Sequence, residues 1–106
     1  MTTLSTHVLD VERGVPAAGV PVELSCSGRS LVRAQTDGDG RVSQLAYLDT
    51  GEYVLSFEVA AYFEAQNRPA PFLRRVSISF HAQTSDPHYH VPLLLSPFAA
   101  TCYRGS

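Results

Sequence analysis

Imidazoles, a guanidinium and an unusual tail carry the chemistry legible in this sequence. His7 sits in a run rich in Thr, Val and Leu, and Arg41 follows directly on the turn Asp37-Gly38-Asp39-Gly40. His88 and His90 alternate in one extended segment, so both point to the same face. The last residues are Cys102-Tyr103-Arg104-Gly105-Ser106, directly after an apolar run through Val91, Pro92, Leu93, Leu94 and Leu95. A phenol, a guanidinium and a carboxylate in such a tail read as a docked segment rather than a frayed one. Imidazoles titrate near neutrality and suit general acid–base work, while Arg suits planar recognition of an anionic group. The set fits a planar, polar substrate. No G-x-S-x-G elbow, Cys–His nucleophile signature, P-loop or G-x-G-x-x-G occurs, so direct attack by water is a simpler expectation than a covalent intermediate.

Each of these residues has a plainer reading. His7, between Thr6 and Val8 on the face of Ser5 and Leu9, could be a structural hydrogen-bonder, and Arg41 a solvated surface residue. His88 and His90 at i and i+2 could ligate zinc with His7 or His81, but no characteristic ligand spacing accompanies them. The turn at residues 37–40 begins like a calcium loop, yet Arg41, Ser43 and Leu45 stand where acidic or oxygen ligands should follow; a hairpin turn is expected there.

The positioning elements are strands. Val76, Ile78 and Phe80 alternate with Ser77, Ser79 and His81; Val20, Val22, Leu24 and Cys26 do the same, as do Tyr53, Leu55, Phe57 and Val59. Residues 3–11 and 31–36 also read as strands, and the strand through Val76, Ile78 and Phe80 is expected to run over residues 72–81 after Pro71. Turn signals lie at Gly14 to Gly19, Ser27-Gly28, 37–40 and Asp49-Thr50-Gly51. Only residues 60–66 look helical, stopped before Pro69. Pro92 inside a strand-like run implies an edge or a bulge. The pattern predicts an all-β fold: a two-sheet antiparallel β-sandwich of about eight strands with one short helix.

Composition narrows the classes. The 106 residues make one domain, residues 1–106, and a net charge of −2 offers nothing to nucleic acid or an anionic membrane. All eight basic residues are Arg. No apolar run approaches the ~20 residues of a membrane helix, and no signal-peptide pattern opens the chain. Cys26 and Cys102 are too few for a disulfide framework, so a reduced, cytoplasmic protein is expected, with Cys26 a small core residue. The apolar segments 87–95 and 97–103 exceed what a chain end needs and predict burial against another subunit.

Ser5-Thr6-His7-Val8-Leu9-Asp10 followed by Gly14-Val15-Pro16-Ala17 resembles the N-terminal signature of the transthyretin-like proteins. His88-Tyr89-His90-Val91-Pro92-Leu93-Leu94-Leu95-Ser96-Pro97 and the closing Tyr103-Arg104-Gly105-Ser106 resemble the C-terminal signature of that family's 5-hydroxyisourate hydrolases. The resemblance runs over nearly the whole chain, including Asp39-Gly40-Arg41 and the helix near Tyr62-Phe63. It implies a homotetramer, a dimer of dimers with sites in the channel between dimers. It also implies hydrolysis of 5-hydroxyisourate to 2-oxo-4-hydroxy-4-carboxy-5-ureidoimidazoline in urate degradation, without metal or cofactor. His7, Arg41 and His90 are then the catalytic residues, with His7, Arg41, Tyr103, Arg104 and Ser106 binding substrate. His7 and His90 share water activation and proton shuttling, unassigned between them, and Arg41 is the electrostatic clamp. His88 is placed on the rim, Tyr103 is expected to close the shared pocket, and Arg104 with the terminal carboxylate to pin the tail in place. Cys102 stands where Thr is usual, and Ala99-Ala100 where Gly-Tyr is usual. The competing reading is a non-catalytic carrier like transthyretin, which lacks the counterparts of His7, Arg41, His90 and the tail.

Overall fold

A computed structural model describes residues 1–106. Nine strands and one helix follow in the order β1 (Thr2–Asp10), β2 (Val15–Pro16), β3 (Pro21–Cys26), β4 (Arg29–Gln35), β5 (Arg41–Leu48), β6 (Gly51–Phe57), α1 (Val59–Glu64), β7 (Val76–Ala82), β8 (His88–Leu95) and β9 (Ala100–Cys102). One sheet runs β4-β3-β6-β7. The other has β1 at its centre, with β8 and then β9 on one side and β5 and β2 on the other. The two sheets close on a core that includes Leu4, Leu24, Leu55, Phe57, Phe63 and Leu93. No helix is long and apolar enough to cross a membrane.

The period of two decides which residues reach that core. Thr2, Leu4, Thr6, Val8 and Asp10 of β1 are fully buried, and Tyr89, Val91, Leu93 and Leu95 of β8 join them. Thr3, Ser5 and His7, with His88 and His90, therefore point outward on the opposite face. The apolar surplus of residues 87–95 thus serves the chain's own core first; Phe98 and Tyr103 are what stays exposed.

Several expectations need correction. The sandwich is not wholly antiparallel: β1 and β8 run parallel, from Thr3 beside His88 to Asp10 beside Leu95. Alternation looks the same in either direction, and the strands between them form the long crossover that parallel pairing requires. The turn at 37–40 is no hairpin, because β4 and β5 lie in different sheets; it is a corner between layers. Val15–Pro16, inside the expected Gly14 to Gly19 turn, pairs with β1 as a two-residue strand. The strand expected over 72–81 begins at Val76: Leu73 N–H instead donates to Pro97 C=O (3.2 Å) and Arg74 C=O receives Ala60 N–H (3.0 Å). The helix spans Val59–Glu64 and is closed by Asn67 at φ 56°. Pro92 is buried and β8 lies between β1 and β9, but the pairing on the β9 side of β8 is incomplete. The neighbouring strand β9 pairs only with Leu93, Leu94 and Leu95, and beyond it the edge is met by a single bridge from Gly105 to His90.

The inner end of β1 is anchored by a buried charge. Asp10 accepts hydrogen bonds from Tyr62 Oη (2.8 Å), Arg68 Nη1 (2.7 Å) and the Arg13 N–H (3.1 Å). Arg68 also pairs with Glu12 and lies over the Phe63 ring at 4.7 Å. Burial alone would raise the Asp10 carboxyl, but the hydrogen bonds from Arg68 and Tyr62 outweigh it and hold it below the usual carboxylate value. Asp10→Ala is expected to destabilise the fold by about 3 kcal/mol in chemical denaturation, since it strands a largely buried guanidinium. Asp10 contributes stability above its unfolded pKa of about 3.9 and loses it as pH falls through its lower native value. Asp10→Asn should therefore flatten the acid limb of stability against pH.

Candidate active site

Two strand registers bring the candidate residues to one face. Across the antiparallel β1–β5 pair His7 lies opposite Arg41, and across the parallel β1–β8 pair Ser5 lies beside His90 and Thr3 beside His88. Arg41 is delivered by the corner at 37–40. Asp37 Oδ1 accepts the N–H groups of Asp39 (2.9 Å) and Arg41 (3.0 Å), and Gly40 N–H donates to Asp37 C=O (2.9 Å). Those backbone donors, with the nearby charges of Arg41 and His7, hold the Asp37 carboxyl below its ordinary value. Gly40 has φ 74° and its C=O accepts Val8 N–H at 2.8 Å; a Cβ there would fall 2.5 Å from Val8 O. Only glycine lets the corner close this tightly on β1. The first acidic residue of the stretch that resembled a calcium loop, Asp37, is thus committed to backbone, and Arg41 leaves the turn with its guanidinium exposed and free of any carboxylate.

His90 is half-buried and held on two sides. Its Nδ1 is hydrogen-bonded to Ser5 Oγ (2.7 Å), and the same hydroxyl reaches His88 Nε2 (2.9 Å). Gly105 N–H donates to His90 C=O (2.7 Å), so the tail lies against the ring; a Cβ at Gly105 would fall 2.5 Å from His90 Cδ2. Burial lowers the His90 pKa, and the charge of Arg41 lowers it further, with His7 and His88 adding to this only when they carry charge. The imidazole is therefore neutral near pH 7, with Nε2 as the ring nitrogen that has no partner within the chain.

The tail is only partly at this face. Gly105 touches His90, with Ser106 exposed directly after it. Arg104 turns away from His7 and Arg41: its guanidinium lies 4.3 Å over the Tyr89 ring, donates to His88 C=O (3.3 Å) and approaches Asp86 at 3.9 Å. It pins the tail rather than reaching the candidate site. Tyr103, over half exposed, lines a cavity of about 470 Å³ at the edge between β7 and β8, with Ile78, Phe80 and Val91. Cys102 lines the same cavity and packs against the core, so its departure from Thr falls off the His7–His90 face. Burial raises its thiol pKa. His81 lies on β7 beside this cavity, far from the other imidazoles in the topology. No group of three or more His, Cys, Asp or Glu converges closely enough to hold a metal ion.

Ser5, Gly105 and Asp37 are the contributors that residue chemistry alone passed over. Ser5 was discoverable, because it lies two residues from His7 on the same face of β1. None of the chain's three cavities is lined by His7, Arg41 or His90, so the face is open. It presents a free cation beside a neutral imidazole and can bind and polarise an anionic, planar group while moving a proton.

In a histidine-resolved NMR titration His90 should titrate below 6.5, and Arg41→Gln should move its midpoint upward. An unchanged midpoint in that variant would place Arg41 outside electrostatic reach of the ring.

The chain matches the HIUase/Transthyretin family over residues 4–105. It is 42% identical to 5-hydroxyisourate hydrolase from Caulobacter vibrioides, with all of both chains covered. Its fold superposes on the 5-hydroxyisourate hydrolase of Klebsiella pneumoniae with a TM-score of 0.92 at 40% identity, covering all of both chains. Transthyretin from Sparus aurata superposes with a TM-score of 0.88 at 28% identity, covering 97% of this chain and 96% of that one. Full-length identity, a matched fold and family coverage from the first strand into the tail agree: the chain belongs to the HIUase/Transthyretin family.

Proposed function

We propose that this chain hydrolyses 5-hydroxyisourate, opening its lactam ring with water to give 2-oxo-4-hydroxy-4-carboxy-5-ureidoimidazoline in urate degradation. The observation that carries this reading is His7 facing Arg41, with His90 one strand away on the same open face. Relatives named for this activity match the chain end to end. The second reading, a small-molecule carrier, is favoured by the likeness to transthyretin. It leaves unexplained a neutral imidazole set beside an unpaired guanidinium.

The chemistry follows from the groups. Arg41 binds the substrate's urate-like oxygens and stabilises the oxyanion that forms as water adds to the carbonyl, a contribution of roughly 3 kcal/mol. His90, neutral at pH 7 because burial and the neighbouring Arg41 depress its pKa, takes the water proton through Nε2. His7 carries a proton from the adduct hydroxyl to the leaving nitrogen. Carbon–nitrogen cleavage then yields a carboxylate, an N–H and one released proton. No metal or cofactor enters this scheme.

The open face needs a cover to exclude water from the oxyanion. A dimer of dimers, with two such faces opposed across a channel, would supply it. The exposed Tyr47, which follows Thr3 onto this face, supports that arrangement, as does exposed Tyr103. Two free cysteines fit a reducing cytoplasm.

Freshly prepared 5-hydroxyisourate should lose its ultraviolet absorbance faster with the protein than spontaneously; an equal rate sinks the enzyme reading. His90→Asn should lower kcat/KM by about 10²–10⁴ and Arg41→Gln by about 10²–10³. Gly105→Ala, which sets a methyl against the His90 ring, should lower kcat while leaving the melting temperature nearly unchanged. Full activity in that variant would detach the tail from the mechanism.

A further inference from the structure

The parallel register does more than bring strands together: it sets the hydroxyls of β1 against the imidazoles of β8. Thr3 lies beside His88 and Ser5 beside His90. The result is one unbroken hydrogen-bonded chain. Thr3 Oγ1 reaches Pro87 C=O (3.5 Å) and His88 Nδ1; His88 Nε2 reaches Ser5 Oγ (2.9 Å); Ser5 Oγ reaches His90 Nδ1 (2.7 Å). Its outer end, His88, is exposed, and its inner end, His90, is half-buried. Ser5 itself is buried and touches both rings.

We propose that Ser5 and His88 are positioning residues which fix the tautomer of His90 and connect its ring to solvent as a proton path. Proton bookkeeping along the chain gives the direction. A hydroxyl has one proton to donate, and a neutral imidazole one N–H. With the Thr3 hydroxyl assigned as donor to Pro87 C=O (3.5 Å), it accepts from His88 Nδ1–H. His88 Nε2 is then bare and accepts from Ser5. Ser5, its proton spent, accepts from His90 Nδ1–H. His90 is left with an unprotonated Nε2 on the face shared with His7 and Arg41, which is the form a base requires.

This rests on the hydrolase reading and assigns the fate of the released proton. Water adds to the lactam carbon as its proton goes to His90 Nε2. His90 Nδ1–H passes to Ser5 Oγ while the Ser5 proton moves to His88 Nε2, and His88 gives up its Nδ1 proton to Thr3 Oγ1, which releases its own to solvent. The adduct hydroxyl proton reaches the leaving nitrogen through His7 as the carbon–nitrogen bond breaks. One amide and one water become a carboxylate, an N–H and one solvated proton, so the step balances. Both rings then carry their proton on Nε2; the chain resets when His90 Nε2–H is lost at the open face and a solvent proton returns at the His88 end, each hydroxyl turning back as the protons shift, so the net release over the cycle is one proton.

The test combines ring NMR with kinetics on the whole protein. Two-bond ¹H–¹⁵N correlations should show His90 of the wild type as the Nδ1–H tautomer, and Ser5→Ala should turn it into a tautomer mixture. Ser5→Ala should lower kcat by about 10- to 100-fold, part of what positioned proton transfer supplies, with KM within about twofold. Ser5→Thr, which keeps the hydroxyl, should retain kcat within about threefold. A wild-type His90 protonated on Nε2 overturns the proposal even if the alanine variant fails to fold. A folded Ser5→Ala protein with wild-type kcat also overturns it. Wild-type protein that leaves 5-hydroxyisourate untouched, yet shows the Nδ1–H tautomer lost in Ser5→Ala, refutes the function and supports the hydrogen-bonded chain.

Discussion

The register between β1 and β8 is the constraint on which the rest of this structure depends. It is held from within: Thr2 Oγ1 donates to Asp86 C=O and Thr6 Oγ1 to Val91 C=O, both at 2.7 Å and both on the buried side of β1. A slip of one residue would turn Leu4, Val8 and Asp10 outward and His7 inward, exchanging core for chemistry along the whole strand. Burial of apolar side chains on one face therefore specifies, on the other, which hydroxyl meets which imidazole. Core and candidate site are two readings of one alignment.

The charges of the molecule are arranged around that alignment. On the opposite sheet Arg33 and Arg75 share Glu23, Arg75 also meets Glu58, and beside α1 Arg74 meets Glu64. These exposed pairs contribute little to stability, but they neutralise their surface. Arg68 is absorbed by Asp10 and Glu12. Arg41 differs: Asp37, four residues before it, is occupied by backbone N–H groups, and no carboxylate pairs with its guanidinium. A cation without a counter-ion then stands near His90, lowering the proton affinity of that ring and keeping a place for an anionic ligand.

Much of this was legible in the sequence, because period-two alternation is a local signal. It put His88 and His90 on one face and Arg41 at the start of a strand after a turn. Strand direction was not legible, since alternation is blind to it, and neither was the sheet to which each strand belongs; hence the parallel β1–β8 pair and the corner at 37–40. Residue chemistry read the tail as docked, with Tyr103 closing a pocket and Arg104 pinning it, while the family resemblance made Arg104 a substrate contact as well. In the fold Arg104 is taken up by the Tyr89 ring and Asp86, while Gly105, which has no side chain to attract notice, touches His90. The face of Ser5 was legible from its spacing to His7, but its partners were not, since they lie 83 and 85 positions away.

That separation has a consequence for the birth of the molecule. Thr6 and Val91 are 85 residues apart, so at roughly 5–20 residues per second β1 leaves the ribosome some 4 to 17 s before its parallel partner exists. During that interval an edge of β1 is unpaired, the condition under which strands recruit other chains. The opposite edge is covered earlier, by β2 and then β5. The polar outward row of Thr3, Ser5 and His7, needed later for chemistry, meanwhile makes the waiting strand a poor template for aggregation.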